Sequence, residues 1–202
     1  MTTAGDVAAA LRAGERVADA AFDALFPAAH ATRAATHATP IAVARQVCAL
    51  LAGADGDTIL DVGSGVGKMC LVGALVGPAR WTGVEKHAGM VRIATRMASA
   101  LGVADRATFV HAHAAQIDWR PYAGVYLYNP LSEAVFAERD VGRAELAHHA
   151  DVRALEAALA TLRPRARVVT YYGFGGDFPA GFELEEARPV GEDALCLWIR
   201  TA

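Results

Sequence analysis

The run Thr58-Ile59-Leu60-Asp61-Val62-Gly63-Ser64-Gly65-Val66-Gly67 carries the residues of this chain most able to do chemistry. A short apolar stretch ends in an acid, and glycines follow at 63, 65 and 67. An apolar helical pattern (Met69, Leu71, Val72, Leu75, Val76) begins at once. This order reads as buried strand, tight turn and helix N-terminus. Glycine permits left-handed backbone angles and lets a ligand approach with no Cβ in the way. The helix start behind the turn offers unpaired N–H groups to a carboxylate or phosphate. Further on, Arg80-Trp81-Thr82-Gly83-Val84-Glu85 is a second strand ending in an acid, and one carboxylate there can accept both hydroxyls of a ribose. A dinucleotide fingerprint needs G-x-G-x-x-G, whereas the spacing here is D-x-G-x-G-x-G, which makes NAD a poor ligand.

Ligands of an open α/β sheet sit beyond the carboxyl ends of its strands, and that rule selects the other candidates. In Phe109-Val110-His111-Ala112-His113-Ala114, the two histidines alternate on one strand face. Two imidazoles with no carboxylate or thiolate beside them do not make a metal site, and none is expected. Tyr126-Leu127-Tyr128-Asn129-Pro130 ends a fourth strand in an Asn-Pro turn. His37-Ala38-Thr39-Pro40 opens a helix, with Thr39 as its hydroxyl cap and Pro40 in the first turn. Tyr171-Tyr172-Gly173-Phe174-Gly175-Gly176-Asp177 interleaves aromatics with glycines, as a wall close to a ligand would. The Tyr172 ring face can meet a cation. His148-His149 falls mid-helix, on a solvated face.

With Asp61, the alternate glycines and Glu85 together, the chain resembles the class I S-adenosylmethionine (SAM) methyltransferases over roughly residues 40–200. The resemblance implies SAM as cofactor. Asp61, Gly63, Ser64, Gly65 and Gly67 then hold its methionyl part, Glu85 takes the ribose, and Lys86 flanks the adenine. The family usually has an aspartate near His113 to bond the adenine amino group. Here a neutral imidazole nitrogen of His113, or the backbone of Ala114, stands in its place. Asn129-Pro130 is similar to the N-P-P-aromatic motif of methyltransferases that modify amino groups. In those enzymes the asparagine carbonyl and the next backbone carbonyl accept hydrogen bonds from the target nitrogen and align it for in-line displacement. The second proline and the aromatic are missing, so no adenine or glutamine substrate is carried over. The family places an N-terminal lid over SAM, which brings Thr39 to the cofactor and His37 to the reacting end. Asn129, Tyr128 and His37 are thus the candidate catalytic residues. The D-V-G-S-G-V-G and G-V-E-K stretches are also similar to the seven-strand histone-lysine methyltransferases, a likeness local to the cofactor site.

The activity implied is methyl transfer by in-line displacement to a small molecule or a single side chain, at nitrogen or oxygen. His37, His111 or Glu133 is available as a base if the acceptor is a protonated amine. Two other readings stay open. One is an enzyme that cleaves or cyclises SAM itself and releases methylthioadenosine; the other is a non-catalytic SAM-binding module.

Positioning these residues requires a regular α/β frame. Residues 6–26 form an amphipathic helix, or two broken at Gly14, and Ile41, Ala44, Val47, Cys48 and Leu51 give the buried face of a helix ended by Gly53. After the Glu85 strand come a helix over 87–101, strands over 107–111 and 123–128, and helices over 133–139 and 145–162. A strand over 167–172 and two alternating strands over 181–188 and 194–200 finish the chain. Strand–helix alternation closing in a hairpin predicts a doubly wound, Rossmann-like sheet, mostly parallel with a C-terminal antiparallel hairpin. Seven strands are what the family resemblance implies.

With 202 residues the chain is expected to be one SAM-binding domain, residues 1–53 forming an N-terminal helical lid and 57–202 the core. A net charge of −3 argues against a nucleic-acid partner, and scattered Lys and Arg argue against a polybasic membrane patch. Cys48, Cys70 and Cys196 lie far apart in apolar patterns, as thiols of a reducing compartment do. No leader or membrane span is expected from the apolar pattern, and the expectation is a cytoplasmic monomer or homodimer.

Overall fold

The computed structural model describes residues 3–31, 38–52, 58–131 and 141–201, with residues 141–145 given by their backbone alone. Seven strands form one sheet: β1 (Thr58–Val62), β2 (Arg80–Glu85), β3 (Ala107–His111), β4 (Gly124–Tyr128), β5 (Arg167–Tyr171), β6 (Phe182–Val190) and β7 (Asp193–Arg200). Their order is β3-β2-β1-β4-β5-β7-β6. The first five are parallel neighbours, while β7 runs antiparallel to β5 and β6 antiparallel to β7. The chain therefore moves outward from β1 to β3 and returns to place β4 on the other side of β1. That reversal opens a crevice at the carboxyl ends of β1 and β4, between Asp61 and Asn129.

Helices α1 (Ala4–Arg12), α2 (Asp19–Asp23), α3 (Ile41–Leu51), α4 (Lys68–Val76), α5 (Ala88–Ala100) and α6 (Val141–Leu159) accompany the sheet. Strand alternation splits the apolar residues between its two faces. Ile59, Trp81 and Tyr126 join Leu11, Phe22, Val47 and Leu71 in one cluster. Leu60, Val84, Val125 and Leu127 join Trp119, Leu155 and Leu159 in the other. Helix α4 is buried along nearly its whole length, as an all-apolar helix must be, and Lys68 is the charged exception. Gly73 lets α4 lie directly on the Trp81 ring, where a Cβ would collide.

The N-terminal segment breaks at Gly14, whose φ of 78° ends one helix before the next begins. Val7, Ala8 and Leu11 of α1 are buried in the same cluster as α4, so this segment shares the core of the sheet. The expected Thr39 cap of α3 is not formed. Pro40 is the N-cap and makes no side-chain bond; Asp19 of α2 accepts the Ile41 N–H instead, at 2.9 Å. Thr39 is freed to bond elsewhere. Strand β6 runs through Pro189 rather than stopping before it, which an edge strand tolerates because one side has no partner to donate to. The helix expected over 133–139 and the Gly53 stop lie outside the described residues. Among the described residues, no helix is long and apolar enough to cross a membrane.

Candidate functional site

The turn after β1 is held open by its glycines. Gly63, Gly65 and Gly67 have φ of 74°, 56° and 85°. The Gly63 and Ser64 N–H groups both donate to the Val84 carbonyl, at 2.9 and 3.1 Å, which ties the turn to the end of β2. A Cβ at Gly67 would lie 2.6 Å from the Phe109 ring and 2.9 Å from Ala94, so this glycine serves helix packing. A Cβ at Gly65 would meet nothing within 4 Å, so this one faces open space. The Ser64 side chain tucks against Gly83, and its hydroxyl is buried with no hydrogen-bond partner among the described residues.

Two carboxylates flank the turn. Glu85 is buried, and each of its oxygens takes one backbone N–H: Gly65 to Oε2 at 3.0 Å and His87 to Oε1 at 2.8 Å. Each oxygen keeps a lone pair for a further donor, and the carboxylate is fixed in place. Asp61 is buried too, and the Cys70 thiol donates to its Oδ2 at 3.3 Å. Burial pushes the Asp61 carboxyl up to about 7; the Cys70 bond opposes the shift and the Glu85 charge adds to it. Asp61 lies level with Tyr126 of β4, whose hydroxyl pairs with that of Thr39 at 2.9 Å. Thr39 is thereby brought to the wall of the cleft.

Across the crevice, Asn129 holds φ at 38° and its N–H donates to the Gly173 carbonyl at 3.1 Å. Pro130 packs over Gly63, 3.3 Å from where a Cβ would stand. The Tyr128 ring lies 5.1 Å from Tyr171 and 6.0 Å from Tyr172, and those two are 4.6 Å apart. Tyr172 has φ of 56°, so Asn129 and Tyr172 are two strained residues at one mouth. Burial, with Tyr172 beside it, pushes the Tyr171 hydroxyl up to about 12.

These elements enclose a cavity of about 720 Å³. Of the residues selected from the sequence, it brings together Asp61, Gly63, Ser64, Gly65, Glu85, Lys86, His113, Ala114, Thr39, Tyr128 and Asn129. Gly67 is turned away toward Phe109. His111 lies outside the lining, its Nε2 3.0 Å from the Lys86 carbonyl. His113 caps the 3₁₀ turn Ala114–Gln116: its backbone carbonyl accepts the Gln116 N–H at 2.9 Å, and its own N–H donates to the Gln116 side-chain oxygen at 3.1 Å. His37 and Glu133 lie outside the described residues. His148 is half-buried rather than solvated, because Gly175 packs against its ring. No three His, Cys, Asp or Glu side chains converge as a metal site among the described residues.

Three titratable lining residues escaped the sequence reading: Lys68, His30 and Asp151. Lys68 is buried with its Nζ 2.7 Å from Asp19 and 2.8 Å from Asp23, both on α2. A lone lysine in an apolar helix was the available signal. Its partners, some 45 residues earlier, were not legible.

No protein-family model matches the sequence, and no curated protein matches it. Solved structures do. An RNA methyltransferase from Salinibacter ruber, in complex with S-adenosylhomocysteine, matches with a TM-score of 0.60 at 24% identity, over 81% of this chain and 93% of that one. TrmN from Thermus thermophilus matches with a TM-score of 0.63 at 20% identity, over 83% of this chain and 51% of TrmN. This chain has the class I methyltransferase fold. The same fold includes the [4+2]-cyclase SpnF, matched with a TM-score of 0.50 at 22% identity over 64% of this chain and 43% of that one. A class I fold therefore hosts more than one chemistry, and function has to be argued from the site.

Proposed function

We propose that this protein is a SAM-dependent methyltransferase acting on a small acceptor. The observation that carries the reading is the cradle formed by Gly65 and Glu85. An open glycine faces the cavity beside a buried carboxylate whose two oxygens are pre-oriented by backbone N–H groups and still have lone pairs to offer. Such a carboxylate suits the vicinal hydroxyls of a ribose. Asp61, on the neighbouring strand, offers negative charge to a cationic chain extending from that ribose. The group supplies an electrophilic methyl on a sulfonium when bound. Asn129 faces it from β4, and its carboxamide oxygen can accept a hydrogen bond from an acceptor nitrogen or hydroxyl and orient its lone pair. The Tyr128 ring lines that side, with Tyr171 and Tyr172 packed against it. One cavity of about 720 Å³ has to take cofactor and acceptor together, which favours a small acceptor.

The test is incubation of the purified protein with SAM, alone and then with a panel of small amines, phenols and carboxylates, with products resolved by mass spectrometry. The expected result is tight binding of intact SAM, and S-adenosylhomocysteine released only with an acceptor. Methylthioadenosine formed from SAM alone would replace the reading with a SAM-cleaving enzyme. A protein that does not bind SAM would end the argument from Asp61 and Glu85. Asn129→Gly sharpens the test, because a φ of 38° suits glycine and the fold loses only the carboxamide. We expect S-adenosylhomocysteine affinity to hold and turnover to fall about a hundredfold.

A further inference from the structure

The tyrosines at the mouth of the cavity belong to one row across the sheet. Tyr128 of β4 is level with Tyr171 of β5, and Tyr171 is level with Leu195 of β7, so the three side chains stand on the same face. Continued by one residue, β5 would send Tyr172 to the opposite face. Its φ of 56° turns it back, and its ring lies 4.6 Å from Tyr171 and 6.0 Å from Tyr128. A large side chain held in the left-handed region is strained, and this one is 46% exposed, so burial does not offset the strain. The Gly173 carbonyl beside it accepts the Asn129 N–H, which anchors the rings next to the reacting end of the cavity.

Asp193 stands at the far end of this row. It begins β7 two residues before Leu195 and so shares its face. Its charge adds to the burial and the neighbouring Tyr172 that push the Tyr171 hydroxyl up. Asp193 is half-buried, and its carboxylate has no hydrogen bond or ion pair among the described residues. Arg188 lies opposite Leu195 on β6, but its guanidinium is taken by Glu186 at 2.7 Å. Glu192, beside Asp193 in the hairpin turn, is exposed and adds a further negative charge. Asn129 and Asp193 both lie just past the level of the row. Their strands are two spacings apart, which separates them by roughly 10 Å.

We propose that the surface of Tyr128, Tyr171 and Tyr172, ended by Asp193, is a subsite for a cationic group of the acceptor, an inference that rests on the methyltransferase reading above. Ring faces attract either an aromatic ring or an alkylammonium, and the unpaired carboxylate at the end of the rings selects the cation. The acceptor is then an aliphatic amine bearing a second, positively charged nitrogen roughly 10 Å from the nitrogen at Asn129. Holding the distal charge on the tyrosines leaves the other nitrogen to present its lone pair to the methyl.

Calorimetry on the protein saturated with S-adenosylhomocysteine tests this with two probes, an aminohexyl trimethylammonium cation and its neutral tert-butyl isostere, which differ only in the distal charge. A cation against tyrosine faces and a carboxylate corresponds to about tenfold or more in affinity. The wild-type complex is expected to prefer the cation by that factor. Asp193→Asn should bring the two probes within about threefold of one another while binding the isostere as the wild type does, which also shows that the variant is folded. Tyr172→Gly, which suits the left-handed φ, should weaken both probes and leave S-adenosylhomocysteine affinity unchanged. Equal binding of both probes by the wild type, no binding of the cation, or wild-type preference in either variant would overturn the proposal while leaving the cofactor reading in place. Failure of the wild type to bind S-adenosylhomocysteine would overturn that reading, and this assignment with it.

Discussion

Asp61 makes the affinity of this site depend on pH in a direction that can be worked out. Its carboxyl is pushed up to about 7 in the empty site, chiefly by burial. A cation seated beside it favours the ionised form and returns the pKa toward the ordinary carboxylate range. Binding is then coupled to loss of a proton wherever the empty site is protonated. At pH 5.5 only about 3% of the empty protein carries an ionised Asp61, and at pH 8 about 90% does. Affinity for S-adenosylhomocysteine, whose ammonium supplies the cation, should rise about thirtyfold over that range. Close to one proton should be released per ligand at pH 5.5 and close to none at pH 8. Calorimetry in pairs of buffers with different ionisation enthalpies measures both quantities. Affinity constant within about threefold, with no proton released at pH 5.5, would refute the placement of a cation against Asp61.

The same shift has a consequence for stability. A carboxyl whose folded pKa lies above its unfolded value binds the proton more tightly when folded. Its contribution is therefore fully present below about pH 4 and is lost as pH rises toward 7. From the ordinary carboxylate value of 3.8 to about 7, the cost of the ionised group above neutrality is about 4 kcal/mol. Asp61→Asn should remove this dependence, leaving the ligand-free protein more stable than wild type at pH 8 while weakening its binding. Thermal unfolding from pH 4 to 8 would show it. Identical slopes for the two proteins would contradict the assignment.

The glycines of the turn separate packing from binding. Gly67→Ala places a Cβ 2.6 Å from the Phe109 ring and should cost about 2–4 kcal/mol of stability in urea unfolding. Gly65→Ala meets nothing within 4 Å, so strain at φ 56° should cost only about 1 kcal/mol. Its methyl enters the cavity and should weaken S-adenosylhomocysteine by about tenfold or more. Lys68→Met leaves the buried Asp23 without its ion pair and should cost about 3–5 kcal/mol, with Lys68→Met/Asp23→Asn recovering most of that in the same assay.

The parts of the site that were legible in the sequence are those whose chemistry is local. Asp61, the glycines and Glu85 sit at strand ends, and strand ends follow from apolar runs and glycine spacing. The parts that were not legible depend on contacts between distant segments. Thr39-Pro40 reads as a helix cap because nothing local shows that Asp19 will take the Ile41 N–H; with that donor satisfied, Thr39 turns to Tyr126. Lys68 reads as an exception in an apolar helix until α2 brings two carboxylates to it. Asp151 lies on a long helix of weak periodicity, and only the docking of Leu155 against Ala112 and Ala114 turns it toward the cavity.

The unfavourable features of the molecule collect at the same place. Among the described residues, Asp61 is a buried carboxylate with no cation paired to it, Ser64 has a buried hydroxyl with no partner, and Asn129 and Tyr172 hold positive φ without being glycine. The remaining non-glycine residue with positive φ among the described residues is Arg165, in the turn before β5. Each feature costs on the order of 1–3 kcal/mol or more, and a fold shaped for stability alone would have removed them by single substitutions. Serine to alanine at 64 or asparagine to glycine at 129 needs no rearrangement of neighbours. Their concentration around one crevice, between strands whose order reverses there, is what a site completed by its ligand predicts. A cation opposite Asp61 would convert the largest of these costs into binding energy. The pH dependence of affinity is therefore the measurement that bears most directly on why this turn keeps an acid at its base.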